Sequence, residues 1–209
     1  MPRVSVAHRD ARRRQILDAA RTCFIRDGFH ATSMAEVLAE AGLSAGAVYR
    51  YFPGKADIVF AIAEEAVDQL CAAWEHVIAS PELPPIEDAL AEVLLTVERL
   101  DREHGVPQLA LQVWAEAVRS PPMADLTKHV FGRIRGLAEQ LVARYQERGD
   151  IAAGVPAPAV ARVIVGLLPG FVLQRVLIGD VEVEEFRAGL RALLGTGGTN
   201  APGARATIA

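Results

Sequence analysis

An all-α fold, with a small N-terminal helix-turn-helix head and a larger helical body, is what this 209-residue sequence predicts. Three observations carry that prediction. Apolar residues recur at i, i+3 and i+4 in one stretch after another, the period of an amphipathic helix. Glycine and proline fall mainly between those stretches, where helices stop and start. Alternating runs of Val, Ile, Thr and Tyr bounded by turns are missing, so no strand is predicted. A hydrophobic content of 51% supplies a core and a charged content of 23% is ordinary, which excludes a chain disordered throughout. The stretches group into a head over 1–54 with an arm at 1–9, a body over 55–195, and a flexible glycine-containing tail over 196–209.

The first helix is predicted over 10–27, with Ile16, Leu17, Ala20, Cys23 and Phe24 as its buried stripe and Arg12, Arg13 and Arg14 at its start. Gly28 closes it. Thr32 and Ser33 then offer hydroxyls that cap a helix start by accepting backbone N–H groups. Val37, Leu38 and Ala41 give the short second helix one apolar face, and Gly42 stops it, since a left-handed stop suits glycine. Ser44 caps the third helix, Val48 and Phe52 share its inner face, and Pro53 and Gly54 end it. Two short helices joined by a glycine-containing turn form the helix-turn-helix pattern, whose second helix enters the major groove of DNA. Charge agrees: residues 1–55 hold nine Lys/Arg against five acids, while the remainder holds 13 against 21. A basic head on an acidic body fits nucleic-acid binding.

The body opens with a helix over 55–80 that carries Ile58, Ile62, Val67, Leu70, Cys71 and Trp74 inward. SPELPPIED breaks it, and Pro85 starts the next, which Gly105 ends. Further helices are predicted over 107–118, 123–148, 157–178 and 183–194. The helix over 157–178 is apolar nearly all round, so it must be covered on several sides, and Pro169 interrupts its hydrogen-bond ladder. Its longest nearly unbroken apolar run, 163–173, is 11 residues. A membrane span needs about 20, so no membrane is expected as a partner. The N-terminus has charge but no apolar signal core, and Cys23 and Cys71 read as small buried hydrophobes, so a cytoplasmic location is expected.

The five histidines are scattered without metal-ligand spacing, and GxSxG, HExxH and phosphate-loop motifs are absent. Neither a cofactor nor enzyme activity is expected. In the body, polar side chains interrupt the apolar stripes at Gln112, Glu116, His129, Arg133 and Gln174, with Trp74, Trp114 and Phe171 near them in the pattern. Convergent polar groups in an apolar cavity are what a small-molecule site needs. These eight residues are therefore the candidate lining of an effector site, for an effector of largely apolar character. The alternative for each polar one is satisfaction at the surface or in a subunit interface.

Residues 12–63, and above all ILDAARTCFIRDGFHATSMAEVLAEAGLSAGAVYRYFPGKADIV, resemble the head of TetR-family transcriptional repressors. The resemblance lies in the order and spacing of an aromatic after the first glycine, the TS pair, AGLS, VYRYF, and Lys55 before an apolar helix. It implies a homodimer on a near-palindromic operator in double-stranded DNA, released when a small molecule occupies each body. It puts Thr32 and Ser33 on phosphate at the start of the second helix, and Ser44, Ala45, Gly46 and Ala47 against the groove. Tyr49, Tyr51 and Lys55 fall on phosphates, while Arg50 reaches bases or phosphate. Many relatives carry a polar or basic side chain at 45 and 47; alanine there packs on a thymine methyl but reads no base by hydrogen bonding. Arg50 is therefore expected to carry more of the direct readout. Dimerisation is expected through 157–178 and 183–194, as a four-helix bundle that covers the apolar helix. A DNA-binding dimer without a small-molecule ligand, or an activator, are the alternatives.

Overall fold

The computed structural model describes residues 6–195, and the regular elements among them are all helical. The first helix, α1, is Val6–Asp27. It begins inside the expected arm, because residues 6–10 contain neither Gly nor Pro and run without a break into alanines and arginines, both strong helix formers. The rest of the arm, 1–5, and the expected tail, 196–209, lie outside the described residues. Gly28 turns the chain at φ 86°.

Helix α2 is Met34–Ala41. Ser33 caps it in a reciprocal box: its hydroxyl accepts the Glu36 N–H at 3.2 Å, and the Glu36 carboxylate accepts the Ser33 N–H at 2.6 Å. The Ser33 N–H, and the Ser33 hydroxyl donating at 2.8 Å, hold the Glu36 carboxyl below the usual glutamate range. Gly42, at φ 63°, ends the helix. Helix α3 is Ala45–Tyr49, with the Ser44 hydroxyl accepting the Ala47 N–H at 3.3 Å.

The body comprises α4 Lys55–Ala79, α5 Ile86–His104, α6 Val106–Ala117, α7 Pro121–Arg148, α8 Ala157–Leu173 and α9 Val183–Gly195. The helix expected as one piece over 157–178 leaves α geometry at Gln174 and finishes as a π-helical run-on, Gln174–Ile178. Helix α7 packs on α4, α6 and α8; α5 packs on α4, α6, α8 and α9; α1 packs on α2, α4 and α6.

Two apolar clusters result. One joins Trp74, Leu94, Leu141, Tyr145, Ile164 and Phe171 within the body. The other joins Ile16, Phe24, Val37 and Val48 of the head to Ile58 and Ile62 of α4 and to Leu109 and Leu126 of α6 and α7. Three short helices cannot bury enough surface alone, so the head shares its core with the body. Charge reinforces that junction. Arg21 of α1 donates to Glu65 of α4 at 2.6 Å, and Arg13 pairs with the same carboxylate.

By length and composition, 157–178 is apolar enough to cross a membrane, with a mean hydropathy of 1.7 over 18 residues, of which 33% are buried. The longest apolar run understated it, because Arg162 and Arg175 interrupt a helix that is otherwise continuous. Arg175 docks it onto α5, donating to Asp101 at 2.7 Å and Glu98 at 3.2 Å.

Candidate nucleic-acid interface and effector cavity

The two capped helices leave one end of the head as a polar surface. Ser33 and Ser44 are exposed, each hydroxyl already serving its own cap. Ala45 and Gly46 are exposed at the start of α3 and Ala47 is half-buried behind them. Tyr49 is 46% exposed, whereas Tyr51 is half-buried against the head core. Arg50 is exposed, with no acidic partner among the described residues. This surface therefore offers methyl groups, one free guanidinium and a phenol.

Two residues read as phosphate contacts have other work. Thr32 is fully buried, and its hydroxyl donates to the carbonyls of Gly28 at 2.9 Å and Cys23 at 3.2 Å. It locks the turn between α1 and α2 and has no surface to offer DNA. Lys55 turns inward too. Its ammonium donates to the carbonyls of Phe29 at 2.5 Å, Thr32 at 2.8 Å and His30 at 3.3 Å. It also lies 4.5 Å from the centre of the Phe29 ring. Three donors meet three acceptors, so Lys55 clasps the 28–32 turn from the first turn of α4. Burial pulls its ammonium below the ordinary lysine value, opposed by Glu116 and Glu36.

The same turn meets α6. The Gln112 amide oxygen accepts the Phe29 N–H at 2.6 Å, and its amide nitrogen donates to the Phe24 carbonyl at 3.2 Å. Glu116, one turn on, pairs with His30. Gly105, at φ 59° between α5 and α6, lets Ile25 of α1 approach so closely that a methyl group there would collide with it. Head and body thus meet along a seam formed by the end of α1, the 28–32 turn and α6.

Behind the seam lies a cavity of about 140 Å³. Phe24 and Phe29 of the head form part of its wall, with Ala63 and Ala66 of α4, Ala110, Gln112 and Trp114 of α6, Phe131 of α7 and Leu168 and Pro169 of α8. Of the eight expected effector contacts, Gln112 and Trp114 line it. The others do not, for identifiable reasons. Trp74 is fully buried in the body core with its indole N–H unpartnered, and Phe171 is fully buried edge-on to Phe186. His129 and Arg133 meet Glu64 at 3.1 Å, and Arg133 also meets Asp68 at 2.8 Å, on the outside of α4 and α7. Glu116 belongs to the seam, and Gln174 bonds the Gly170 carbonyl at 3.2 Å. The residues missed are Phe24, Phe29 and the alanines. Small side chains at inward positions of two facing helices were the available signal, because that is where packing leaves space.

Residues 16–62 match the bacterial regulatory proteins of the tetR family, and residues 85–197 match the C-terminal domain of the BetI-type transcriptional repressors. Over 194 residues the chain is 26% identical to the HTH-type transcriptional regulator UidR of Escherichia coli (strain K12), covering 88% of this chain and 91% of that one. It is 27% identical over 165 residues to the HTH-type nicotine-responsive transcriptional repressor HdnoR of Paenarthrobacter nicotinovorans, covering 78% and 82%. The solved structure of Salmonella enterica GusR superposes with a TM-score of 0.73 at 26% identity, covering 93% of this chain and 100% of that one.

Proposed function

This chain belongs to the TetR family of bacterial transcriptional regulators, and from that membership we propose that it is a ligand-responsive DNA-binding repressor acting as a homodimer on a near-palindromic operator. The observation that carries the ligand response is the shared wall of the cavity. Phe24 and Phe29 belong to the head, Gln112 belongs to α6, and all three line the same space while bonding one another across the seam. A molecule entering there displaces Phe29 or α6, and with them the turn that leads into α2. The mechanism is a population shift toward a body conformation that holds the two heads at the wrong spacing for successive major grooves, about 34–36 Å apart. A ligand drives that shift only by binding the released form more tightly. HdnoR, a relative of similar length, is named for its response to a small molecule, which supports the same reading.

The dimer surface is assigned to α8, its π run-on and α9, where Val163, Leu173, Leu177, Ile178 and Leu194 are exposed. Several large apolar side chains exposed on one pair of helices fit an interaction surface. A carboxylate buried there without a partner costs several kcal/mol, so Leu177→Asp is expected to weaken self-association roughly 100-fold or more. Sedimentation then shows monomer at concentrations where the wild type is dimeric, and operator binding falls with it.

On DNA, α3 presents methyl groups at Ala45 and Ala47 and a guanidinium at Arg50. Arg50→Ala is expected to flatten the base preference at one operator position, a loss of about 1–3 kcal/mol of discrimination. Binding-site selection checks this, and an unchanged preference contradicts it. The whole reading is tested by footprinting the DNA that flanks the chain's own gene, alone and with a panel of small molecules. A protected near-palindrome that is lost with one compound, and lost steeply with salt, is expected. Absence of any protected site overturns it.

A further inference from the structure

We infer that the effector is an uncharged, compact, apolar molecule with about the bulk of one aromatic ring, an inference that rests on the cavity being the effector site. Size is the first argument. The cavity measures about 140 Å³, and an apolar cavity of roughly 150 Å³ accepts a benzene-sized guest. Chemistry is the second. Among the described residues, none of the side chains lining the cavity carries a charge. Gln112 lines it, but its amide is committed at both ends to the Phe29 N–H and the Phe24 carbonyl. Thr127 lines it, but its hydroxyl donates to the Met123 carbonyl at 2.9 Å. Beyond the Trp114 indole, the polar capacity left to lining side chains is small and uncharged: the second Gln112 amide N–H, the second lone pair of its oxygen, and the Thr127 hydroxyl oxygen as an acceptor.

Charged groups on the surrounding elements are turned to other tasks, Lys55 among them, with its ammonium on the carbonyls of the 28–32 turn. Arg133, Glu64, Asp68 and His129 satisfy one another between α4 and α7, and Glu116 is held by His30. A carboxylate or ammonium entering the cavity meets no counter-charge among the lining side chains and loses its hydration, which selects against charged acids and amines. What the walls do offer is aromatic: Phe24, Phe29, Trp114 and Phe131, the last two tilted against each other at 6.0 Å. Rings favour offset and edge contacts with other rings, so the best guest is itself a small ring.

Toluene, benzoate and benzylamine share one ring and differ in charge, so they separate these arguments. Calorimetric titration and thermal unfolding of the full chain are the readouts. Toluene at about ten times its Kd is expected to raise Tm by roughly 3–6 °C. Benzoate and benzylamine are expected to bind ~100-fold more weakly or worse. Ala110→Phe fills the cavity and abolishes toluene binding; if that variant fails to fold by circular dichroism, the wild-type trio decides alone. Benzoate or benzylamine binding as tightly as toluene overturns the inference, as does a folded Ala110→Phe that still binds toluene. The ligand-response reading fails separately. Toluene bound without any change in operator affinity leaves the ligand chemistry standing and sinks the response, whereas operator release by a charged compound with no toluene binding does the reverse.

Discussion

Replacing Lys55 with methionine is expected to lower the unfolding free energy by about 2–4 kcal/mol, and to do so in the absence of DNA. Methionine keeps most of the apolar stem and removes the ammonium, so the change isolates the polar contacts. Those contacts are the carbonyls of Phe29, His30 and Thr32, which then lose their donor in a half-buried corner. Urea or thermal unfolding of the free protein at fixed concentration checks this. A lysine whose only task is a phosphate would leave the free protein as stable as before. Operator affinity falls as well, because the 28–32 turn sets where Ser33 starts α2.

Gln112→Leu is expected to act on communication more than on binding. Leucine retains an apolar wall for the cavity, so the ligand still binds. The Phe29 N–H loses its partner and the Phe24 carbonyl keeps only the Gly28 N–H, a loss of about 1–3 kcal/mol in stability. The ratio of operator affinities without and with ligand is expected to fall toward one, because α6 then holds the turn only through the Glu116–His30 pair. Fluorescence anisotropy on a labelled operator measures that ratio. A ratio equal to the wild type's would show that the seam transmits nothing through Gln112.

The head was readable because its signals are local. Ser33 and Glu36 lie three residues apart, Gly42 and Ser44 punctuate the turn, and each acts on backbone within its own helix. The intramolecular partners of Thr32 and Lys55 were not readable, for the opposite reason. Their partners are carbonyls of a turn that exists only once α1, α2 and α4 have packed, and a hydroxyl or ammonium in a sequence does not say whether it faces a phosphate or a carbonyl. The order of the body helices was equally legible from apolar period and from glycine and proline. The π run-on after Leu173 was not, since it changes the hydrogen-bond register without any Gly or Pro at the switch.

The candidate effector cavity was least legible. A cavity is what side chains fail to fill, and that depends on how α4, α6, α7 and α8 sit against one another. Polar residues chosen as ligand contacts instead resolved into ion pairs outside the cavity, as with His129 and Arg133, or into the seam, as with Glu116. Trp74 and Phe171 are large enough to fill their own space and became core. Gln112 lines the cavity, yet what it holds is the head.

The central claim is that a molecule in this cavity and the operator are linked through the seam, and linkage is reciprocal. The most direct measurement is therefore a closed cycle on the wild-type protein: operator Kd with and without the ligand, and ligand Kd with and without the operator. The account predicts equal factors in both directions, about tenfold or more, with each partner weakening the other. A factor of one in both directions, with the cavity demonstrably occupied, would contradict it.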